Sequence, residues 1–283
     1  MRAGQPGEKG LGRRASTQVV EEPEIGVVGN HHQARPRLGL GEKRRRNGLG
    51  LGNGRHIARR VVGKVQQDNE FLAALARLGG FIDERIGRYL ERNKPEVEAA
   101  SGLSPWLHYG HVSAHEVFHR VADHESWDPS LIEGQKATGK REGWWGMSAA
   151  SEGFMDELIT WREVCLNTCE NRPHDYGRYE SLPDFAKKTL AEHADDPRPH
   201  VYTLEQFEHA ETHDPLWNAA QNQLRREGII HNYLRMLWGK KILHWTESPQ
   251  EAHRIMVELN NKYGLDGRDP NSWGGIMWVL GRY

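Results

Sequence analysis

The chain of 283 residues has only two cysteines, no run of eighteen apolar residues, and no Phe, Tyr or Trp in its first 66 positions. Without a long apolar run there is no helix suited to a bilayer, and no apolar stretch near the N-terminus reads as a secretory signal. The expectation is a cytoplasmic protein with no membrane partner. Cys165 and Cys169 lie four apart, a spacing that puts two thiols on one helix face and differs from the C-x-x-C of redox and many zinc sites. They read as reduced core cysteines rather than a disulfide or a metal pair.

The aromatic-free stretch 1–66 carries 14 Lys+Arg against 5 acidic residues and 13 of the 31 glycines. Read by composition, such a Gly/Arg-rich segment buries too little surface to offset its chain entropy. Residues 1–66 are therefore expected to form a disordered basic tail, a solvated segment in preference to a nucleic-acid arm. The remaining 217 residues hold 24 basic and 34 acidic groups and all ten tryptophans. Residues 67–283 form the expected folded domain.

Strand signals are nearly absent after residue 67, and helix signals are dense, so the expected class is all-α. Asn69 to Leu78 and Phe81 to Glu91 read as two helices broken by Gly79-Gly80. Ser113 with Glu116 forms a capping box opening a helix to about Ala122, and Thr203 with Gln206 opens another. Asp214 is the expected N-cap of a helix with Pro215 at its first position and Gly228 as its stop. Ser248 and Gly264 repeat that logic, and long loops are expected around 124–150 and 170–200.

His115-Glu116-Val117-Phe118-His119 matches H-E-x-x-H, in which two imidazoles at i and i+4 hold Zn²⁺ and the glutamate activates its water. With sixteen histidines in the chain the pattern has modest specificity. The positions three and six after His119, where an extended motif needs Gly and a third His, are Ala122 and Glu125. Arg120 puts a cation beside the would-be metal. The expectation is two histidines on a half-exposed helix face and no metal.

Trp238 and Trp245 are seven apart and share a face with Leu234 and Ile242. Spacing alone fits a core stripe or an electron-hopping path, with packing the preferred reading. Arg235 lies among residues expected to be buried and calls for a carboxylate. Asp266 and Asp269 stand in a Gly/Pro-rich turn suited to a polar cofactor.

Five ordered stretches, SGLSPWLHYGHVSAHEV, DELITWREVCLN, YTLEQFEHAETHDPLWNAAQNQLRREG, LRMLWGKKILHWTESPQEA and LNNKYGLDGRDPNSWGGIMW, resemble the FAD-binding helical domain of class II deoxyribodipyrimidine photolyases. The resemblance covers roughly residues 69–283. It implies a photolyase/cryptochrome-type all-α fold, FAD as cofactor, and light-driven electron transfer that splits cyclobutane pyrimidine dimers in DNA.

Carried over residue by residue, the resemblance puts Ser101, Gly102, Leu103 and Ser104 at the FAD diphosphate and Arg162 near the flavin. Arg162 read without it is an ion-pair partner of Glu157 or Glu163. Arg235 and Asp266 match an ion pair beside the isoalloxazine and Asn260 the asparagine at flavin N5, while Asp269 is expected at the cofactor from the turn reading alone. Glu157, Trp161, Met236 and Trp278 match the dimer pocket, with the two tryptophans as an apolar wedge against a flipped lesion. Trp238 matches the relay ring nearest the flavin, Trp217 the next toward the surface, and Trp245 a neighbouring ring. With the resemblance, electron transfer becomes the preferred reading of these rings.

The family's N-terminal α/β antenna domain finds no counterpart in residues 1–66, so no antenna chromophore is expected, and the C-terminal portion past Trp278 is short. The expected protein is thus a photolyase-like domain truncated at both ends, monomeric, acting on dimer-containing DNA. The acidic balance of residues 67–283 weakens nonspecific phosphate attraction. The alternatives are a flavin photoreceptor or inactive remnant and, last, a zinc hydrolase using His115, Glu116 and His119.

Overall fold

Ala74, Leu78, Phe81 and Ile82 recur at helical spacing and are all buried, which fixes one face of the first helix, α1 (Asn53–Glu84). A computed structural model describes residues 53–132 and 143–283, with side chains from Asn69 onward; these lie in the unit Leu51–Tyr283. α1 runs unbroken through Gly79-Gly80, against the expected break. Each glycine costs a helix about 1 kcal/mol relative to Ala, whereas burying a side chain of the size of Leu78 or Phe81 returns about 1.5–3 kcal/mol. Packing overrides propensity here.

α1 also starts before the boundary read from composition, because Ile57, Val61 and Val65 already recur every four residues. The rest of the tail expectation, residues 1–52, lies outside the described residues.

A 3₁₀ turn (Ile86–Glu91) follows, then α2 (Ser104–His108), α3 (Ala114–His124) and α4 (Ala149–Met155). With α1 they enclose one core, in which the rings of Phe81, Tyr89 and Phe154 touch at 4.8 to 5.8 Å between centroids. α4 continues through a π-helical turn (Asp156–Trp161) into α5 (Arg162–Asn171). α6 (Asp184–Glu192) and α7 (Leu204–Glu208) lead to α8 (Pro215–Glu227), α9 (Asn232–His244), α10 (Pro249–Tyr263) and α11 (Pro270–Val279). These last four helices surround the second core, built on Trp217, Trp238, Trp245, Ile242, Met256, Leu259 and Met277. No strand occurs among the described residues, in keeping with the all-α expectation.

The expected caps at Ser113, Thr203, Asp214 and Ser248 are all formed. Gly228 closes α8 in the left-handed conformation, φ 70°. Gly264 closes α10 for another reason: its φ is −67°, and an added Cβ would stand 2.8 Å from the Asn260 carbonyl oxygen. The segment expected as a loop at 170–200 contains α6 and a 3₁₀ turn at Tyr179–Ser181. Ala186, buried at 4%, anchors that helix.

Candidate functional site

Arg235, on α9, meets Asp266 in the turn between α10 and α11 through two hydrogen bonds, Nη2 to Oδ1 at 3.0 Å and Nη1 to Oδ2 at 3.2 Å. Both side chains are mostly buried, at 20% and 15% exposure. Burial pushes the Asp266 carboxyl upward, but the Arg235 guanidinium and a hydrogen bond from the Ser104 side chain outweigh it and hold the group below the usual carboxylate range. Ser104 therefore serves this ion pair, joining α2 to the α10–α11 turn. Arg235 Nε is buried and has no hydrogen-bond partner, so the forked pairing leaves one N–H donor unused.

Next to this turn, on the last turn of α10, stands Asn260, buried at 3%. Its amide nitrogen donates to Asn261 Oδ1 at 3.2 Å and to the Ser272 hydroxyl, which joins the end of α10 to the start of α11. The position an added Cβ would take on Gly264 lies 2.8 Å from the Asn260 carbonyl and 3.4 Å from Asp266 Oδ1. The small residue thus lets Asn260 and Asp266 approach each other. Asp269 caps α11 through the Asn271 N–H, 2.9 Å, and its other oxygen lies 3.3 Å from His108 Nδ1.

Upstream, Ser101 offers its carbonyl to Arg77 Nε at 2.9 Å. Gly102 has φ +67°, and the Arg77 guanidinium crowds the place of its missing Cβ. Leu103 is buried at 1%. Arg162 pairs with its neighbour Glu163 at 3.3 Å. Glu157 pairs instead with Arg92, 2.8 Å, whose guanidinium also lies 4.7 Å over the Tyr89 ring.

The π-helical turn positions Glu157 and Trp161. A π turn aligns residues five apart, and Trp161 Nε1 accordingly donates to Asp156 Oδ2 at 3.2 Å. The Trp161 ring meets Trp278 edge to face at 5.0 Å, and Tyr283 closes the group at 5.8 and 6.0 Å from the two rings. Trp278 is 40% exposed. Two adjacent glycines bring α11 in: a Cβ on Gly274 would collide with Cys165 Sγ, and one on Gly275 would lie 3.7 Å from Met236 Cε. Cys165 itself is deeply buried, its thiol pushed up to about 11 by burial and then by Cys169, which makes it unreactive.

Trp238 and Trp217 lie parallel, 4° between planes and 6.4 Å between centroids, and Trp217 meets Trp245 at 6.2 Å. All three are under 5% exposed. Trp217, expected as the member toward the surface, is itself buried, and the contacts continue from Trp245 to His213 at 4.8 Å and Tyr202 at 6.0 Å. His213 is exposed and Tyr202 half-buried, so the aromatic path reaches solvent there. Lys241 Nζ stands 5.2 Å over the Trp245 ring.

Sequence reading missed Arg92, Gln221 and Tyr283. Gln221 had a signal: Trp217, Ala220, Gln221 and Leu224 occupy one buried stripe at i, i+3, i+4 and i+7, where a polar residue needs a reason. Of two open clefts of about 620 and 460 Å³, one is bordered by Arg172, Lys187, Arg282 and Tyr283, so that it adjoins the Trp161–Trp278 group, and one runs along α8 by Leu216 and Gln223. Arg235 and Asp266 border neither.

The helix of the H-E-x-x-H pattern is real, but His115 and His119 are exposed. The capping box is half made: Ser113 Oγ accepts the Glu116 N–H at 3.0 Å, while the Glu116 carboxylate accepts from Arg120 Nε at 2.9 Å instead of reaching back. His108 ends α2, and His111 pairs with Glu70 at 2.9 Å. Among the described residues no three His, Cys, Asp or Glu side chains gather as a metal site.

No protein-family model matches the chain. It is similar to the deoxyribodipyrimidine photo-lyase of Potorous tridactylus, 41% identical over 209 residues, 74% of this chain and 36% of the relative. The corresponding protein of Oryza sativa subsp. japonica is 40% identical over 213 residues, 74% of this chain and 38% of the relative. That of Methanothermobacter thermautotrophicus is 35% identical over 213 residues, 74% of this chain and 42% of the relative. The chain thus spans well under half the length of the curated relatives it matches. Among solved structures, a bacterial class III photolyase from Agrobacterium tumefaciens superposes with a TM-score of 0.51 at 21% identity, over 75% of this chain and 38% of that one. That likeness shows a shared helical fold.

Proposed function

We propose that this chain binds FAD and carries out light-dependent repair of cyclobutane pyrimidine dimers in DNA, as a class II-type deoxyribodipyrimidine photolyase. One observation carries the reading. Within a single helix, α9, Arg235 is paired with Asp266 while Trp238, three residues on, stacks parallel on Trp217. A charge-compensating pair beside an oxidisable aromatic path is the equipment a photoreducible cofactor needs.

The donor set fits FAD. Arg235 Nε is a buried donor without a protein partner, and the Arg235–Asp266 pair is fixed by Ser104. Reduced FAD, once bound, supplies a photoexcited electron to the dimer. The chain's own contributions are distinct. Arg235 balances the negative charge of the reduced ring, and Asp266 holds Arg235 in place. Asn260 is held between α10 and α11 beside the same turn, and Ser101 to Ser104 and Asp269 form the polar margin through which Arg77 and His108 brace it. Arg162, at the head of α5, adds a further cation. Trp238, Trp217 and Trp245, in contact ring to ring, would provide the path along which electrons could pass inward to the bound cofactor.

Trp161, Trp278 and Met236 offer an apolar surface to a lesion out of the duplex, and Glu157, steadied by Arg92, a polar contact to its base edges. The half-exposed Trp278 favours repair over a photoreceptor or remnant, since signalling has no need of an exposed wedge beside the cofactor. Among the described residues no helix is long and apolar enough to cross a membrane. The reading further takes the chain as a cytoplasmic monomer.

The decisive experiment supplies FAD to the purified chain and measures blue-light repair of dimer-containing single- and double-stranded DNA. Repair above a dark control supports the reading. A yellow protein without repair leaves the photoreceptor, and a preparation that takes up no FAD ends both.

A further inference from the structure

Gln221 is fully buried at 0% exposure, sits on α8 one turn after Trp217, and accepts the Trp238 indole N–H on Oε1 at 2.8 Å. Its Nε2 faces the Glu208 carbonyl at 3.4 Å, which sets the amide with its oxygen toward the indole. In return the Trp217 indole N–H donates to the Trp238 backbone carbonyl at 3.1 Å. α8 and α9 therefore hold each other's tryptophan, and the two rings lie 4° from parallel.

We propose that Gln221 is a positioning residue of the electron relay that also keeps the proton on oxidised Trp238; the inference rests on the flavin reading above. When Trp238 gives one electron to the photoexcited cofactor it becomes a radical cation, and that cation is a far stronger acid than the neutral indole. Its N–H faces an amide oxygen, a hydrogen-bond acceptor with negligible basicity, so the proton stays on Nε1. One electron from Trp217 then restores neutral Trp238 and moves the cation outward, with no proton displaced. Trp217 is treated alike, since its N–H also meets a neutral carbonyl. The Glu208 carboxylate is engaged by Lys262 Nζ at 2.6 Å and by the Tyr263 hydroxyl, so it offers no base here. The oxygen's partial negative charge also stabilises the cation and makes Trp238 easier to oxidise.

Hydrogen-bond satisfaction alone would explain a buried acceptor, and two variants separate the roles. Gln221→Leu removes the acceptor; Gln221→Glu keeps size and polarity but supplies a base. With FAD content equal to wild type, Gln221→Leu is expected to slow light-driven FAD reduction roughly tenfold, the rate equivalent of one buried hydrogen bond. In Gln221→Glu, measured at a pH high enough to ionise the buried carboxyl, the Trp238 proton moves to the carboxylate, and transient absorption is expected to show a neutral tryptophanyl radical where wild type shows the cation. Ultraviolet resonance Raman of flavin-free protein reads the bond itself: Gln221→Leu should shift one indole N–H band toward weaker hydrogen bonding.

An unshifted band, wild-type photoreduction in Gln221→Leu, or a cation signal persisting in Gln221→Glu would each overturn the proposal. Should Gln221→Leu fail to fold, Gln221→Glu carries the test. Wild-type protein that takes up no FAD sinks the flavin reading; flavin-loaded variants that behave as wild type sink Gln221 alone.

Discussion

Trp161 and Trp278 meet edge to face at 5.0 Å across the junction of the π turn and α11. Trp278→Ala removes the exposed partner. It is expected to weaken binding of dimer-containing DNA by about 1–3 kcal/mol, the usual cost of losing one base-stacking aromatic. FAD content and light-driven FAD reduction should stay unchanged. Fluorescence anisotropy with dimer-containing and undamaged oligonucleotides checks this, and equal losses on both DNAs would remove Trp278 from lesion recognition.

Trp238→Phe keeps an aromatic ring in the second core but raises its oxidation potential. Light-driven reduction of oxidised FAD in the presence of a reductant should fall at least about tenfold, the effect of roughly 1.4 kcal/mol on a rate. Under the proposed function, chemically reduced Trp238→Phe protein should still repair dimers. Unchanged photoreduction would take Trp238 out of the relay.

The Arg235–Asp266 pair predicts an acid limit. Because the folded-state carboxyl of Asp266 is depressed, its stabilisation is complete above the ordinary Asp value of about 4 and is lost as pH falls through the lower folded value. Asp266→Asn leaves Arg235 buried without its counter-charge and is expected to cost about 3 kcal/mol at neutral pH. Melting temperatures of the two proteins should differ by a constant amount between about pH 5 and 8 and converge below about pH 4. A difference that widens on acidification would contradict the pairing.

Gly274 on α11 leaves no room for a side chain against Cys165. Gly274→Ala should destabilise the chain by about 1–3 kcal/mol through overpacking. Cys165→Ala in the same chain should return part of that loss, which denaturant melts of the double-mutant cycle read directly.

His115→Ala should leave stability within about 0.5 kcal/mol, as for other exposed positions, and metal analysis of the wild type should find well under one zinc per chain. Stoichiometric zinc lost in His115→Ala would revive the hydrolase.

The caps at Ser113, Thr203, Asp214 and Ser248 were legible because each is a local bargain between one side chain and a nearby N–H. Gly79-Gly80 misled for the same reason, since local propensity does not see the core that Leu78 and Phe81 enter. The need of Arg235 for a carboxylate was readable, yet the choice of Asp266 as that carboxylate came from family resemblance. Arg92 with Glu157 was hidden, since two chain segments far apart in sequence must fold before they meet. Gln221 stood in plain view as a polar residue in an apolar stripe.

The turn at Asp156–Trp161 was beyond sequence reading, because a π turn carries no hydrophobic period of its own. It makes the proposed lesion-facing surface a matter of counting. Deleting any one residue between Asp156 and Trp161 would let the helix rewind as α, turning everything on one side of the deletion by about 100° relative to the other. Trp161 would leave both Asp156 and Trp278 with scarcely any change in composition. That single extra residue is a frame mark, and a homologous chain lacking it would be expected to keep the fold and lose the wedge.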